Sequence, residues 1–132
     1  MATVLLYNLS DRDKTMKIKA QLYRLGITGR EVDAADFGLP VGALLSLPGF
    51  GDAERVPGEA FREEMLVMHD LSPVQFSGLL EGLRAVGATV ALKAMVTQTN
   101  ALWDSYRLHR ELSAEHAAMS RMKQSVHHGK KR

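Results

Sequence analysis

The sequence predicts an α/β domain: two β-α-β units forming a four-stranded parallel sheet in the order 2-1-3-4, with a long C-terminal helix. Three observations carry this. Thr3 to Asn8 (TVLLYN) and Met65 to His69 (MLVMH) are apolar at nearly every position, as strands covered on both faces are. Each run leads through Leu-Ser into an amphipathic helical pattern closed by Gly, from Ser10 to Gly26 and again from Ser72 to Gly87. Residues 33–63, between the two units, supply the length that a parallel crossover needs. A ferredoxin-like α+β sandwich fits the same pattern, with strands two and three as hairpin neighbours and residues 33–63 as an insertion.

In chain order, the first strand ends at the turn-forming Asn8. Ser10, with Asp13 three positions on, is a capping pattern for a helix reaching about Leu25 and stopped by Gly26. Ile27 to Val32 reads as a weaker, more polar strand at a sheet edge. Residues 33–63 form an irregular insertion with a short helix after Pro40, over Val41 to Leu47, then a loop from Pro48-Gly49-Phe50-Gly51 through Pro57-Gly58. Ser72-Pro73 caps and opens the next helix, whose buried face is Val74, Phe76, Leu79, Leu80, Leu83 and Val86. Thr89 to Val96 is the last strand. From about Asn100 to Met122 the chain is rich in helix formers. Leu102, Tyr106, Leu108, Leu112 and Met119 share one face there, opposite Asp104, Arg107, Glu111 and Ala118.

The size fits one domain over residues 1–120, and the net charge of +2 hides an asymmetry. Arg121, Lys123, Lys130, Lys131 and Arg132 face no acid after residue 120; without them the total of 17 basic residues falls to 12, against 15 acidic ones. A nucleic-acid-binding domain carries its basic stripe on the fold. Here only residues 121–132 are basic, read as a disordered tail capable of weak nucleic-acid contact. Cysteine is absent, which removes disulfides and thiolate chemistry. No stretch is long and apolar enough for a membrane span or signal core, so the expected location is cytoplasmic.

A parallel sheet would set Asn8, His69, Asp70, Thr97 and Asn100 along one carboxyl edge, beside helix starts at Ser10, Ser72 and Thr99. Open α/β sheets hold ligands in that crevice. The hydroxyls and amides there would bind an anion, with Lys93 as counter-charge, and they are equally the residues that cap helices. Were the first and third strands antiparallel, Asn8 and His69 would part to opposite ends. The stretch has no Gly-rich phosphate loop, no HExxH and no G-x-S-x-G. Catalytic residues, metal and cofactor are therefore not expected.

Leu92-Lys93-Ala94, Thr97-Gln98-Thr99-Asn100, Trp103, Glu111-Leu112 and Glu115-His116 resemble the C-terminal signature of the bacterial family called domain of unknown function 3783. The resemblance extends back over Met65 to Gly87; the first half is similar, on fewer motif residues, to the N-terminal part of longer members. It implies a small soluble bacterial protein and carries over no activity or catalytic residue. The expected function is binding of a small anionic or nucleotide-like ligand at the carboxyl edge of the sheet. The alternative is a protein-interaction or self-associating module, with a homodimer among its forms, using the last helix, Phe50, Trp103, His109 and His116.

Overall fold

The computed structural model describes residues 1–130, with side chains through Lys123. Its sheet has four strands, β1 (Thr3–Tyr7), β2 (Thr28–Val32), β3 (Met65–His69) and β4 (Leu92–Met95), in the order β2-β1-β3-β4. The predicted order is therefore present, but the strand directions are mixed. β1 runs parallel to β2 and β3 parallel to β4, whereas the two central strands are antiparallel, with Leu5 opposite Val67 and Thr3 opposite His69. Neither the all-parallel sheet nor the ferredoxin-like alternative describes this, since β2 lies beside β1 and not beside β3.

The helices are α1 (Arg12–Arg24), α2 (Val41–Leu44), α3 (Pro73–Ala85) and α4 (Ser105–Lys130). An offset of 62 residues takes Leu5 to Val67, Asn8 to Asp70 and Ser10 to Ser72. Because Leu5 and Val67 face each other across the antiparallel pair, the two β-α-β units are related by a local two-fold axis through that pair. A two-fold rotation normal to a sheet keeps both the hand of a crossover and the face on which it lies. Accordingly α1 and α3 lie on one face, packing Ile18, Leu22, Leu79 and Leu83 against Val4, Leu6, Leu66 and Met68. In an all-parallel sheet of the same order, right-handed crossovers would have put them on opposite faces.

Segment 33–64 explains the difference. Tyr7 is level with Val32, Met65 and, through Met65, Leu92, so the segment leaves and re-enters the sheet at the same end. Its length does not serve to cross the sheet. It serves to cover the second face. Phe37, Val41 and Leu44 bury there with Leu108 of α4 against Leu5, Tyr7, Met65 and Val67.

Both units end their helices alike. The N–H groups of Ile27 and Ala88 reach back to the carbonyls of Leu22 and Leu83 at 2.9 Å, around Gly26 at φ 70° and Gly87 at φ 69°. These are Schellman closures, and their left-handed position is why glycine stands there. The helix starts differ from expectation in one case. Ser72 caps α3 in a reciprocal box with Gln75, but α1 is capped by Asp11, whose side chain accepts from the Lys14 N–H, and not by Ser10. The expected helix over 41–47 closes at Leu44, and β4 is shorter than the Thr89 to Val96 run. α4 starts at Ser105, after a 3-10 turn over Asn100–Leu102, and continues past the expected end near Met122. The tail expected to be disordered from Arg121 falls mainly on residues whose side chains, or whose whole placement, lie outside the described ones.

Ser105 is the one buried polar residue among the described ones, and its hydroxyl bonds the Tyr7 hydroxyl at 2.7 Å. Burial pushes the Tyr7 phenol up to about 12, opposed by the Ser105 bond, which favours the phenolate. The unfolded chain, titrating near 10, loses this proton first as pH rises. Stability from Tyr7 is thus whole below pH 10 and declines toward pH 12, by about 2 to 3 kcal/mol. Urea unfolding of Tyr7→Phe against wild type should show that this part of the alkaline decline disappears in the variant. Equal declines would mean that Tyr7 is not shielded from water.

Candidate functional site

The antiparallel centre separates the residues expected to share one edge. Asn8 and Ser10 lie at the carboxyl ends of β1 and β2, whereas His69, Asp70, Ser72, Thr97, Thr99 and Asn100 lie at the opposite end of the sheet. Single-edge convergence is therefore absent. At the second end Asp70, Ser72, Thr97 and Asn100 are already engaged. The Thr97 N–H donates to Asn100 Oδ1 at 2.7 Å, the Asn100 N–H donates to Thr97 Oγ1 at 3.0 Å, and Asn100 Nδ2 donates to the Met95 carbonyl at 3.0 Å. This reciprocal box opens the 3-10 turn before α4. Thr99 is exposed and makes no side-chain cap bond. Ser72 is spent on α3, and Gln75 Nε2 also reaches the Leu25 carbonyl at 3.0 Å, tying the start of α3 to the end of α1.

His69 closes β3 half-buried, and Asp70 turns away in a left-handed conformation, φ 61°, to accept from the Met1 amine at 2.8 Å. That bond, with the amine's charge, holds the Asp70 carboxyl below its usual range. Its partner is the amine, not His69, so the pair makes no base with an orienting acid. Lys93 lies on edge strand β4, opposite Leu66, and its amine folds back onto the Val90 carbonyl at 2.5 Å. Burial, then the nearby Arg84, lowers its pKa. As a counter-charge for an anion at the Thr97 turn it points to the wrong place.

The other end of the sheet gathers more. Asn8, left-handed at φ 61°, donates both amide hydrogens, to the Phe61 carbonyl at 3.0 Å and the Glu63 carbonyl at 2.9 Å. It pins the strand that enters β3. Phe61 is thereby set between Phe37 (centroids 4.6 Å) and His109 (4.0 Å, ring planes 6° apart). His109 Nε2 lies 2.8 Å from Glu63 Oε1 and 3.4 Å from Ser113 Oγ. A catalytic triad needs its acid and its nucleophile on different ring nitrogens. Here both contacts fall on the same nitrogen. His109, predicted as an interface residue, is instead a packed wall of this stack, with a side chain only 14% exposed.

Two further residues expected at an interface are also packed. Phe50 is half-buried against the bare backbone of Gly42, where a Cβ would lie 2.3 Å from the ring. Trp103 is half-buried with the Arg107 guanidinium 4.5 Å above its ring, and its carbonyl accepts from the Val41 N–H at 2.8 Å. Only His116 stays exposed.

Among the described residues, three cavities open around this end. One of about 480 Å³ lies in the β1/β2 crevice, lined by Asn8, Ser10, Glu31, Asp33 and Arg62 among others. A second, about 350 Å³, lies between residues 56–61 and the start of α4. The third, about 390 Å³, is a mainly apolar groove where α4 leaves the sheet, bounded by Glu63, Glu64, Ala91, Leu92, His116 and Ala117. Arg62, Glu63 and Glu64 were missed from sequence. Their signal was the charged triplet directly before an apolar strand. Among the described residues no three His, Asp or Glu side chains converge as a metal site, and no buried side-chain N or O lacks a partner. No described helix is long and apolar enough to cross a membrane.

If Thr97 and Asn100 act as a structural pair, Thr97→Val and Asn100→Ala should each cost about 1 kcal/mol without added ligand. Thr97→Val removes the bond from the Asn100 N–H, and Asn100→Ala those from the Thr97 N–H and to the Met95 carbonyl; both sets hold one turn, so losing one loosens the other and the double variant should cost clearly less than their sum. Denaturant titration of the four proteins measures this coupling, and strict additivity would break the pairing.

Residues 64–119, spanning β3, α3, β4 and the packed part of α4, match the model of one family, described as Domain of unknown function (DUF3783). No curated protein and no solved structure matches the chain. Over residues 64–119 the chain is similar to the DUF3783 family.

Proposed function

We propose that this protein is a binding module without catalysis and that its contact element is the outer half of α4. One observation carries the reading. The buried face of α4, through Leu108 and Leu112, continues beyond the sheet as Met119, which is 59% exposed, with Met122 beside it at 67%. At 100° per residue Met119 lies about 20° from the direction of Leu112, so the same stripe runs on after its cover ends. Apolar side chains that extend a packed stripe into water mark a contact surface when they form one contiguous patch. Among the residues of the expected ligand site, by contrast, Asn8, Ser72, Lys93, Thr97 and Asn100 are bonded to the chain's own backbone.

A Met119→Asp, Met122→Asp double variant should keep the wild-type melting temperature, since neither side chain belongs to the core. It should lose the proteins, this chain included, that the tagged wild type retains in a pull-down. A variant that melts several degrees lower, or retains the same set, overturns the reading.

A second reading keeps part of the ligand expectation: a small molecule with an anionic group in the β1/β2 crevice, held by Arg62 and Ser10. The cavity of about 480 Å³ supports it, falling within the usual range for small-ligand sites and lying at the carboxyl ends of a parallel strand pair. A thermal-shift screen with nucleotides, sugar phosphates and carboxylates tests it. A hit at 100 times its dissociation constant adds about 2.7 kcal/mol and should vanish in Arg62→Ala. No shift across the panel removes this reading.

A further inference from the structure

We propose that two copies of this chain pair through the overhanging halves of their α4 helices, lying antiparallel about a two-fold axis level with residue 118. The inference rests on α4 being the contact element and names what covers it. The groove at the departure of α4 has an apolar floor, Ala91, Leu92 and Ala117, under an acidic rim, Glu63 and Glu64. A fitting occupant is apolar with positive charge beside it. The same helix supplies one. Met119 and Lys123, seven and eleven positions after Leu112, lie about 20° to either side of its direction. After residue 120 the sequence has basic residues and no acid.

This occupant cannot enter its own groove. Residues 119–123 stand on the turns directly after 113–117 of one continuous helix, so bringing them over the groove would require breaking it. A second copy meets no such obstacle. Laid antiparallel, with 119–123 of each chain over 113–117 of the other, the helices cross level with residue 118, where His116 and Ser120, about 40° and 80° from the direction of Leu112, face the partner beside Met119. Each Met119 then covers the other chain's groove and each Lys123 reaches the other's Glu63 and Glu64. Those carboxylates already meet His109 and Lys14, but each has acceptor capacity for more than one donor. The contact uses the same patch on both chains, so it closes as a dimer.

Sedimentation equilibrium of the full chain at micromolar concentrations should report a dimer. Lys123→Glu and the Glu63→Lys, Glu64→Lys variant should each dimerise roughly tenfold more weakly alone. Mixed, they should recover a heterodimer of wild-type strength, because both contacts are again between opposite charges. The charge-reversed variant loses the Lys14–Glu64 ion pair and the Glu63–His109 contact, so a second arm avoids it. The chain has no cysteine, and Met119→Cys, one position from the axis on the contact face, should therefore cross-link to itself under mild oxidation. Ser113→Cys should not, its mate lying roughly 15 Å along the axis, beyond disulfide reach. A monomeric wild type, or a dimer indifferent to Lys123→Glu and silent at Met119→Cys, overturns the proposal. If the wild type is monomeric while Met119→Asp still abolishes capture of other proteins, α4 remains the contact element and only the second copy is rejected. If capture is unchanged as well, both readings fall.

Discussion

Leu5 faces Val67 at the centre of the sheet with the strands running opposite ways, and most of the remaining architecture follows from that pairing. Antiparallel neighbours in identical β-α units impose a two-fold relation, which places α1 and α3 side by side on one face. The opposite face is then bare. It must be covered by whatever chain is left, namely residues 33–64 and α4. A fold of this size depends on covering both faces, because strands apolar on both sides have no face to leave in water.

The same symmetry accounts for two unusual backbone positions. Asn8 and Asp70 are both left-handed at φ 61°, each directly after a central strand, and asparagine and aspartate tolerate that conformation better than most residues. Each side chain bonds the segment entering the neighbouring central strand: Asn8 the carbonyls of Phe61 and Glu63, Asp70 the amine of Met1. Glu63 stands two residues before β3 and Met1 two before β1. The chemistry is inverted to suit the partner, an amide donor toward carbonyls and a carboxylate toward an ammonium. An element that looked like ligand chemistry is thus the clamp that holds each strand entrance.

Much of this was legible in the sequence because it is local. Strand and helix patterns, Leu-Ser starts, Gly stops and the edge character of β2 depend on neighbouring residues, and the repeat of the two halves set the order 2-1-3-4. Strand direction was not legible. A segment the length of 33–63 can cross a sheet or cover a face, and its composition does not say which until both of its ends are placed. The candidate site was lost to the same ambiguity, since one reversed pairing moves His69 and Asn8 to opposite ends. Ser10 failed for a smaller reason: Asp11, one position on, offers a carboxylate to the helix start, where the dipole also favours negative charge.

The helix α4 carries one apolar stripe from the sheet onto an overhang. Ser105 and Leu108 are buried, with Leu112 half-buried beside them, and the packing fixes the first turns. That removes the nucleation penalty which makes a short isolated helix marginal in water. Propagation then needs only residues that lose little entropy in a helix, and Ala114, Ala117 and Ala118 lose the least. The overhang can therefore hold its shape without a cover of its own, while Met119 and Met122 stay in water. Its stability is borrowed from the sheet at one end, leaving the other end free to meet a partner without first having to fold.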